Sequence, residues 1–247
     1  MIIDMFTHVY PQTIFDRVQK ILPNFGDLQK YIVTNPLLFD MDTRFRLMDK
    51  FDDYRQAITL VSPPLESVAN AEQGAEIARF TNDTLADLVA KYPDRFAAFG
   101  ASLSLLDVDQ AMTELHRAIR DLKAGGIQIF TDVGGRCIDH PDFHPLFAAM
   151  AEYGKPIWMH PGRSKNANDF IDEEQSLFDM WQIVGWPYIT SVAMMRLVLT
   201  GLFDRHPEIK IITHHMGGVI PQHSQRIANS LIRQIRQLEH QNPDQEF

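Results

Sequence analysis

Six short apolar or β-branched runs constrain this 247-residue chain more than any other feature. They are MIIDMF (1–6), QAITLVSPP (56–64), RFAAFGASL (95–103), GIQIFTDV (126–133), KPIWMHPG (155–162) and IKIITHHMGG (209–218). Near-continuous apolar runs of this length read as strands covered on both faces, the habit of parallel sheets. Amphipathic patterns lie between them. Residues 71–93 repeat apolar positions at helical spacing and stop at Pro93; 107–126 opens on a cap candidate, Asp107, and closes on two glycines; 140–154 and 191–207 behave alike. Strand–helix alternation repeated this often means a parallel α/β architecture.

An open nucleotide-binding sheet carries a glycine-rich first turn, and DMFTHVYP has none. Gly134-Gly135 lacks the spacing of a phosphate loop and reads as a tight turn. Polar residues instead stand at the C-terminal ends of several runs: Thr7-His8, His160 and His214-His215. That end is where a (β/α)8 barrel gathers its catalytic residues, so a TIM-type barrel is the expected fold. After the sixth run only 219–247 remain, and VIPQHSQRIANSLIRQIRQLEHQ reads as one helix from Ile220 to about Leu238. We therefore expect a single barrel domain over 1–247 that lacks its last two strands and is C-terminally incomplete. The exposed edges, the final helix and the long connection 163–190 then predict a homo-oligomer.

Composition excludes several partners. Net charge is −9, with no basic cluster, which argues against nucleic acid and anionic membrane. No apolar stretch approaches the ~18 residues of a membrane helix, and no signal peptide is evident. Cys137 is the one cysteine, which rules out an intrachain disulfide and points to a reducing, cytoplasmic setting.

Histidines at strand ends can converge on one metal ion at the barrel mouth, and His8, His160 and His214/His215 fit that placement. Asp4 is a candidate to orient the His8 ring, or a structural cap. The histidines at 116, 140, 144, 206, 223 and 240 fall in helices or loops and receive no role. Trp181, Trp186 and Phe178 are candidates to wall an aromatic ligand, with core packing the plainer alternative.

The blocks IDMFTHVYP, FRLMD, PIWMHPGR, WPYITS and GLFDRHPEIKIITHHMGGVIP together resemble the amidohydrolase superfamily. The branch they resemble contains aminocarboxymuconate-semialdehyde decarboxylase and the aromatic-acid decarboxylases. The resemblance implies a TIM barrel with one divalent metal, zinc ahead of manganese. It also implies nonoxidative loss of CO2 from an unsaturated or aromatic carboxylic acid. Hydrolysis or hydration at the same site is the alternative within the class, and a non-catalytic binding or assembly barrel the alternative outside it. The family's first strand ends His-x-His or Glu-x-His; here the first position is Phe6, leaving His8. His160 matches the fifth-strand ligand. His215 matches the histidine that handles protons, with His214 its neighbour. The family's last ligand, an aspartate after the eighth strand, has no counterpart here. Phenylalanine offers no lone pair, so the resemblance implies a weak or absent metal site unless His214 or His215 is recruited. Arg44 stands where relatives place an arginine on the substrate carboxylate. Arg46 is its nearby alternative, and Arg163 is a further candidate at the rim.

Overall fold

The structure, a computed structural model, describes residues 1–21, 27–61 and 63–241. Six strands form one parallel sheet in chain order: β1 (Ile2–Val9), β2 (Tyr54–Leu60), β3 (Phe96–Ser102), β4 (Gly126–Phe130), β5 (Pro156–His160) and β6 (Lys210–Thr213). Helices fill the crossovers, chiefly α1 (Gln12–Ile21), α2 (Met41–Met48), α3 (Ala71–Lys91), α4 (Val108–Arg120), α5 (His144–Tyr153) and α6 (Gly185–Leu199). A final helix, α7 (Ile220–Gln241), follows β6. A two-residue hairpin, Asp132–Val133 with Arg136–Cys137, follows β4. No helix among the described residues is long and apolar enough to cross a membrane.

The sheet has two unlike faces because alternate residues point opposite ways. Ile58, Phe99, Ala101, Ile127, Ile129, Ile157 and Met159 face outward into a core completed by Leu85, Leu115, Ile119, Phe147, Met150 and Leu197 from the helices. The inward face curls on itself into a half-barrel. Trp158 fills its floor, donating its indole N–H across the interior to the Met5 carbonyl of β1. Glycine is required beside it. A Cβ on Gly126 would stand 2.0 Å from the Pro156 carbonyl oxygen and 2.7 Å from the Trp158 ring.

The elements differ from the sequence reading at three places. The first run does not stop at residue 6. Asp4 pairs with Gln56 but Thr7 with Ile58, so β1 carries one extra residue at Met5-Phe6 and then continues to Val9. The Asp4 carboxylate caps this bulge by accepting the Phe6 N–H at 3.3 Å. Bulges re-aim side chains beside sites, and this one brings Phe6 onto the face that His8 uses. The helix expected over 191–207 begins earlier, at Gly185, and breaks at Gly201, whose φ of 71° is left-handed; Leu202–Arg205 is a separate turn. The long connection thus ends sooner than the sequence suggested. The last helix opens at Ile220 as expected and bends at His223.

Candidate metal centre

Three strands deliver three histidines to one end of the half-barrel. His8 lies in β1 opposite Thr59 of β2, His160 ends β5 opposite Phe130 of β4, and His214 follows β6 directly, its N–H bonded to the Met159 carbonyl at 3.1 Å. One nitrogen from each ring lies within 4.8 Å of the other two. The His8 and His160 ring centroids are 5.2 Å apart, His8 and His214 5.0 Å, and His160 and His214 4.8 Å.

Hydrogen bonds at the outer nitrogens set the tautomers. His160 Nδ1 meets the Pro161 carbonyl at 2.9 Å; a carbonyl only accepts, so Nδ1 carries the proton and Nε2 the lone pair. Thr59 Oγ1 donates to the Thr7 carbonyl at 3.3 Å and so accepts from His8 Nδ1 at 2.9 Å, which leaves His8 Nε2 as the lone-pair nitrogen. His8 Nε2 and His214 Nδ1 are both buried with no hydrogen-bond partner. A buried acceptor left unpaired costs about 1–3 kcal/mol. An unpaired His8 Nε2 lone pair close to a nitrogen of His214 suits a cation. The donor set, three neutral imidazoles, fits a divalent ion.

Burial and mutual proximity keep these rings neutral. Desolvation, followed by the neighbouring histidines, lowers His8 and His214 to about 3, and burial holds His160 well below its ordinary value. The unfolded chain takes up protons below about pH 6.5 while the folded state does not, so stability falls as pH drops from there toward 3. Metal-free protein is expected to lose about 1.4 kcal/mol for each buried histidine between pH 7.5 and 5.5. Urea unfolding at the two pH values checks this; equal midpoints would mean that the rings are not buried neutral.

Phe6 stands against one side of this cluster. Its ring lies 4.2 Å from His214, 5.5 Å from His8 and 6.3 Å from His160, edge-on to all three. An apolar group therefore fills the side of the cluster from which a fourth donor would come.

Of the two histidines that the sequence left open as a third nitrogen ligand, His214 is the one that joins the cluster. His214 turns into the cluster, whereas His215 faces outward and stacks on Trp186 at 5.3 Å and 20°. The cause is the backbone: His215, Met216, Gly217 and Gly218 all have positive φ (50°, 56°, 83° and 67°), hooking the chain back toward α7. Such strain is a frequent mark of functional segments. Gly218 is required there, because a Cβ would lie 2.4 Å from the Pro187 carbonyl oxygen. His215 stays close, 6.0 Å from His160.

Arg44, expected on a substrate carboxylate, is committed to the fold. Its guanidinium donates to the Leu37 carbonyl at 2.9 Å, to Gln56 Oε1 at 2.5 Å and to the His8 carbonyl. It is 6% exposed and has no ion pair among the described residues; burial lowers it to about 10. Arg46 points away, bonded to Thr43 on the surface. Asp4 does not touch the His8 ring: it binds the Phe6 N–H and the Tyr54 hydroxyl, and Thr59 orients His8 instead. Thr59 was missed because only strand register, not sequence spacing, places it. Arg163 braces the connection after β5 by bonding Ala167 O and Asp169, and its carbonyl accepts the Trp186 indole N–H at 2.9 Å. Trp186 sits 5.3 Å from His160, Trp181 stands behind it, and Phe178 is 84% exposed and away from the mouth. A groove of about 420 Å3 opens here, between Asp179, Gln182, Ile183, Trp186, Pro187 and His215. That is within the usual size of a small-molecule site.

A family model described as amidohydrolase matches residues 3–238. The gamma-resorcylate decarboxylase of Rhizobium sp. (strain MTP-10005) is 34% identical over 214 residues, covering 82% of this chain and 63% of that protein. The 2-amino-3-carboxymuconate-6-semialdehyde decarboxylase of Dictyostelium discoideum is 28% identical over 74% of this chain and 49% of its own length. A solved structure of 5-carboxyvanillate decarboxylase from Novosphingobium aromaticivorans, complexed with manganese and 4-hydroxy-3-methoxy-5-nitrobenzoic acid, superposes with a TM-score of 0.81. It is 26% identical, over 96% of this chain and 71% of that one. The chain thus spans less than two thirds of the length of these curated relatives.

Proposed function

The chain belongs to the amidohydrolase family, and from that premise we propose that it acts as a metal-dependent nonoxidative decarboxylase of an aromatic or unsaturated carboxylic acid. The observation that carries this reading is the convergence of one nitrogen each from His8, His160 and His214 to within 4.8 Å of one another, with His8 Nε2 and His214 Nδ1 buried and without a hydrogen-bond partner. These three residues would hold one divalent ion. The ion, when bound, would draw electron density from the substrate's oxygens. Zinc suits the set better than manganese, because all three donors are nitrogen and none is a carboxylate.

In the reaction the bond from carbon to carboxylate breaks, CO2 leaves, and a proton takes its place on that carbon. His215 is assigned this proton. It lies beside the cluster yet reaches the groove, so its imidazolium can pass a proton to that carbon and take another back from solvent. Trp186 offers the substrate ring a flat apolar wall. Arg44 receives a positioning role: it fixes the His8 carbonyl, and its unpaired buried charge favours an anionic ligand at the histidines. Arg163 holds the connection that carries Trp186. We assign the protein to the cytoplasm on its single cysteine, testable by fractionation. We also assign self-association, through the exposed Phe170, Ile171, Phe178 and Ile183 of the long connection; sedimentation as a monomer would contradict it.

Incubation with zinc or manganese and a panel of hydroxybenzoates, read as CO2 release, tests the reading. Conversion of an acid to its decarboxylated phenol, lost on chelation, is expected. Metal binding without turnover of any acid would favour the non-catalytic barrel for which Phe6 speaks.

A further inference from the structure

The half-barrel interior holds a second polar feature, on the strands opposite the histidines. Ser102 and Gln128 are register partners on β3 and β4, 5% and 4% exposed, and both lie on the inward face. Ser102 Oγ and Gln128 Oε1 are buried with no hydrogen-bond partner among the described residues. They line one small cavity together with Leu60, Leu65, Leu103 and Phe130. Phe130 is also a neighbour of the metal-site histidines, its ring centroid 5.4 Å from that of His160. The cavity and the cluster therefore share a wall.

The orientation of both groups is fixed. Gln128 Nε2 donates to the Leu60 carbonyl at 2.9 Å, which settles which end of the amide is which and turns Oε1, a pure acceptor, to the cavity. The Ser102 backbone is clamped from behind. Its N–H donates to Asn82 Oδ1 at 2.7 Å, its carbonyl accepts from Asn82 Nδ2 at 3.0 Å, and Glu114 holds that amide nitrogen at 2.7 Å. Arg117 in turn binds both Glu114 oxygens, at 2.7 and 2.8 Å. A three-residue support behind one serine is what a precise binding group requires.

Size and polarity together define the guest. Room for the centre of a water-sized sphere is about 10 Å3, about the least that holds one water. Only a single small group fits. An acceptor oxygen beside a serine hydroxyl selects a group that donates, and it repels a carboxylate. We propose that Gln128 and Ser102 form a subsite for one hydroxyl or amino substituent on the ring of the carboxylic acid substrate, where it takes the place of a single water. The subsite rests on the decarboxylase reading above and deepens it. It makes the chain selective for a ring bearing a free hydroxyl or amino group over the same ring bearing hydrogen or methoxy.

Calorimetric binding to the zinc-supplied protein tests this by affinity instead of by CO2 release. The probes are benzoate, the three monohydroxybenzoates and their methyl ethers, against the unaltered protein, Gln128→Leu and Ser102→Ala. One hydroxybenzoate isomer is expected to bind at least tenfold more tightly than benzoate and than its own ether. Gln128→Leu should erase that preference and leave benzoate affinity within twofold, and Ser102→Ala should reduce the preference. If Gln128→Leu does not fold, Ser102→Ala carries the comparison. Benzoate binding with no preferred isomer, or equal weakening of benzoate and hydroxybenzoate in the variants, would overturn the subsite and leave the decarboxylase reading standing. Failure of every benzoate to bind would overturn the subsite and the aromatic half of the decarboxylase reading, leaving only unsaturated acids as its substrates.

Discussion

His160→Ala is expected to lower divalent-metal affinity at least a hundredfold and, with it, to abolish CO2 release. His160 is the most deeply buried of the three histidines, at 2% exposure, and its tautomer is fixed by the Pro161 carbonyl. It also ends β5, which is paired on one side with β4 and on the other with β6, the strand that leads to His214. Removing it leaves His8 and His214, and two imidazoles do not complete a zinc site, which takes three protein ligands even when catalytic. The methyl group that replaces the ring also opens a void beside Phe130 and Trp186, so the variant's folding must be checked by circular dichroism. Elemental analysis after dialysis against a weak chelator reads the result. Equal metal in variant and unaltered protein would show that His160 is structural.

Phe6→His is expected to act in the opposite direction, tightening metal binding by one to three orders of magnitude. The Phe6 ring already stands among the three histidine rings, nearest to His214 at 4.2 Å, so an imidazole there would add a fourth nitrogen. The bulge at Met5-Phe6 directs the side chain inward whatever its identity, because Asp4 and the Trp158 indole hold the backbone on either side. The substitution removes apolar contacts and adds a polar ring, so the metal-free variant should be less stable while the metal-bound variant is more stable. Competition with a chromophoric chelator measures the affinity. Unchanged or weaker binding would place residue 6 outside the site.

The sheet was legible in the sequence because strands covered on both faces leave continuous apolar runs, and six such runs point to a parallel architecture. His8 and His160 were legible for the same reason, since each is the polar residue that interrupts such a run. What escaped depends on backbone geometry or on strand register. The bulge that carries β1 through Thr7 and His8 has no sequence mark of its own. The choice of His214 over His215 for the cluster follows from four consecutive positive φ values, two of them at non-glycine residues. Only the two glycines hinted at it. Arg44 was read from its place in a motif, but its hydrogen bonds are to carbonyls and an amide brought near by folding. Thr59, Ser102 and Gln128 look in sequence like ordinary strand residues, and only pairing across β1–β2 and β3–β4 shows what they face.

The claim on which the rest depends is that His8, His160 and His214 bind one ion through nitrogen. X-ray absorption at the zinc edge, on protein supplied with one equivalent of zinc, tests it most directly. The account predicts three imidazole nitrogens at about 2.0–2.1 Å, with the outer-shell scattering of histidine rings, and a loss of that scattering in His160→Ala. A sulfur neighbour at about 2.3 Å, which only Cys137 or a methionine could provide, or a shell of oxygens without imidazole scattering, would contradict it.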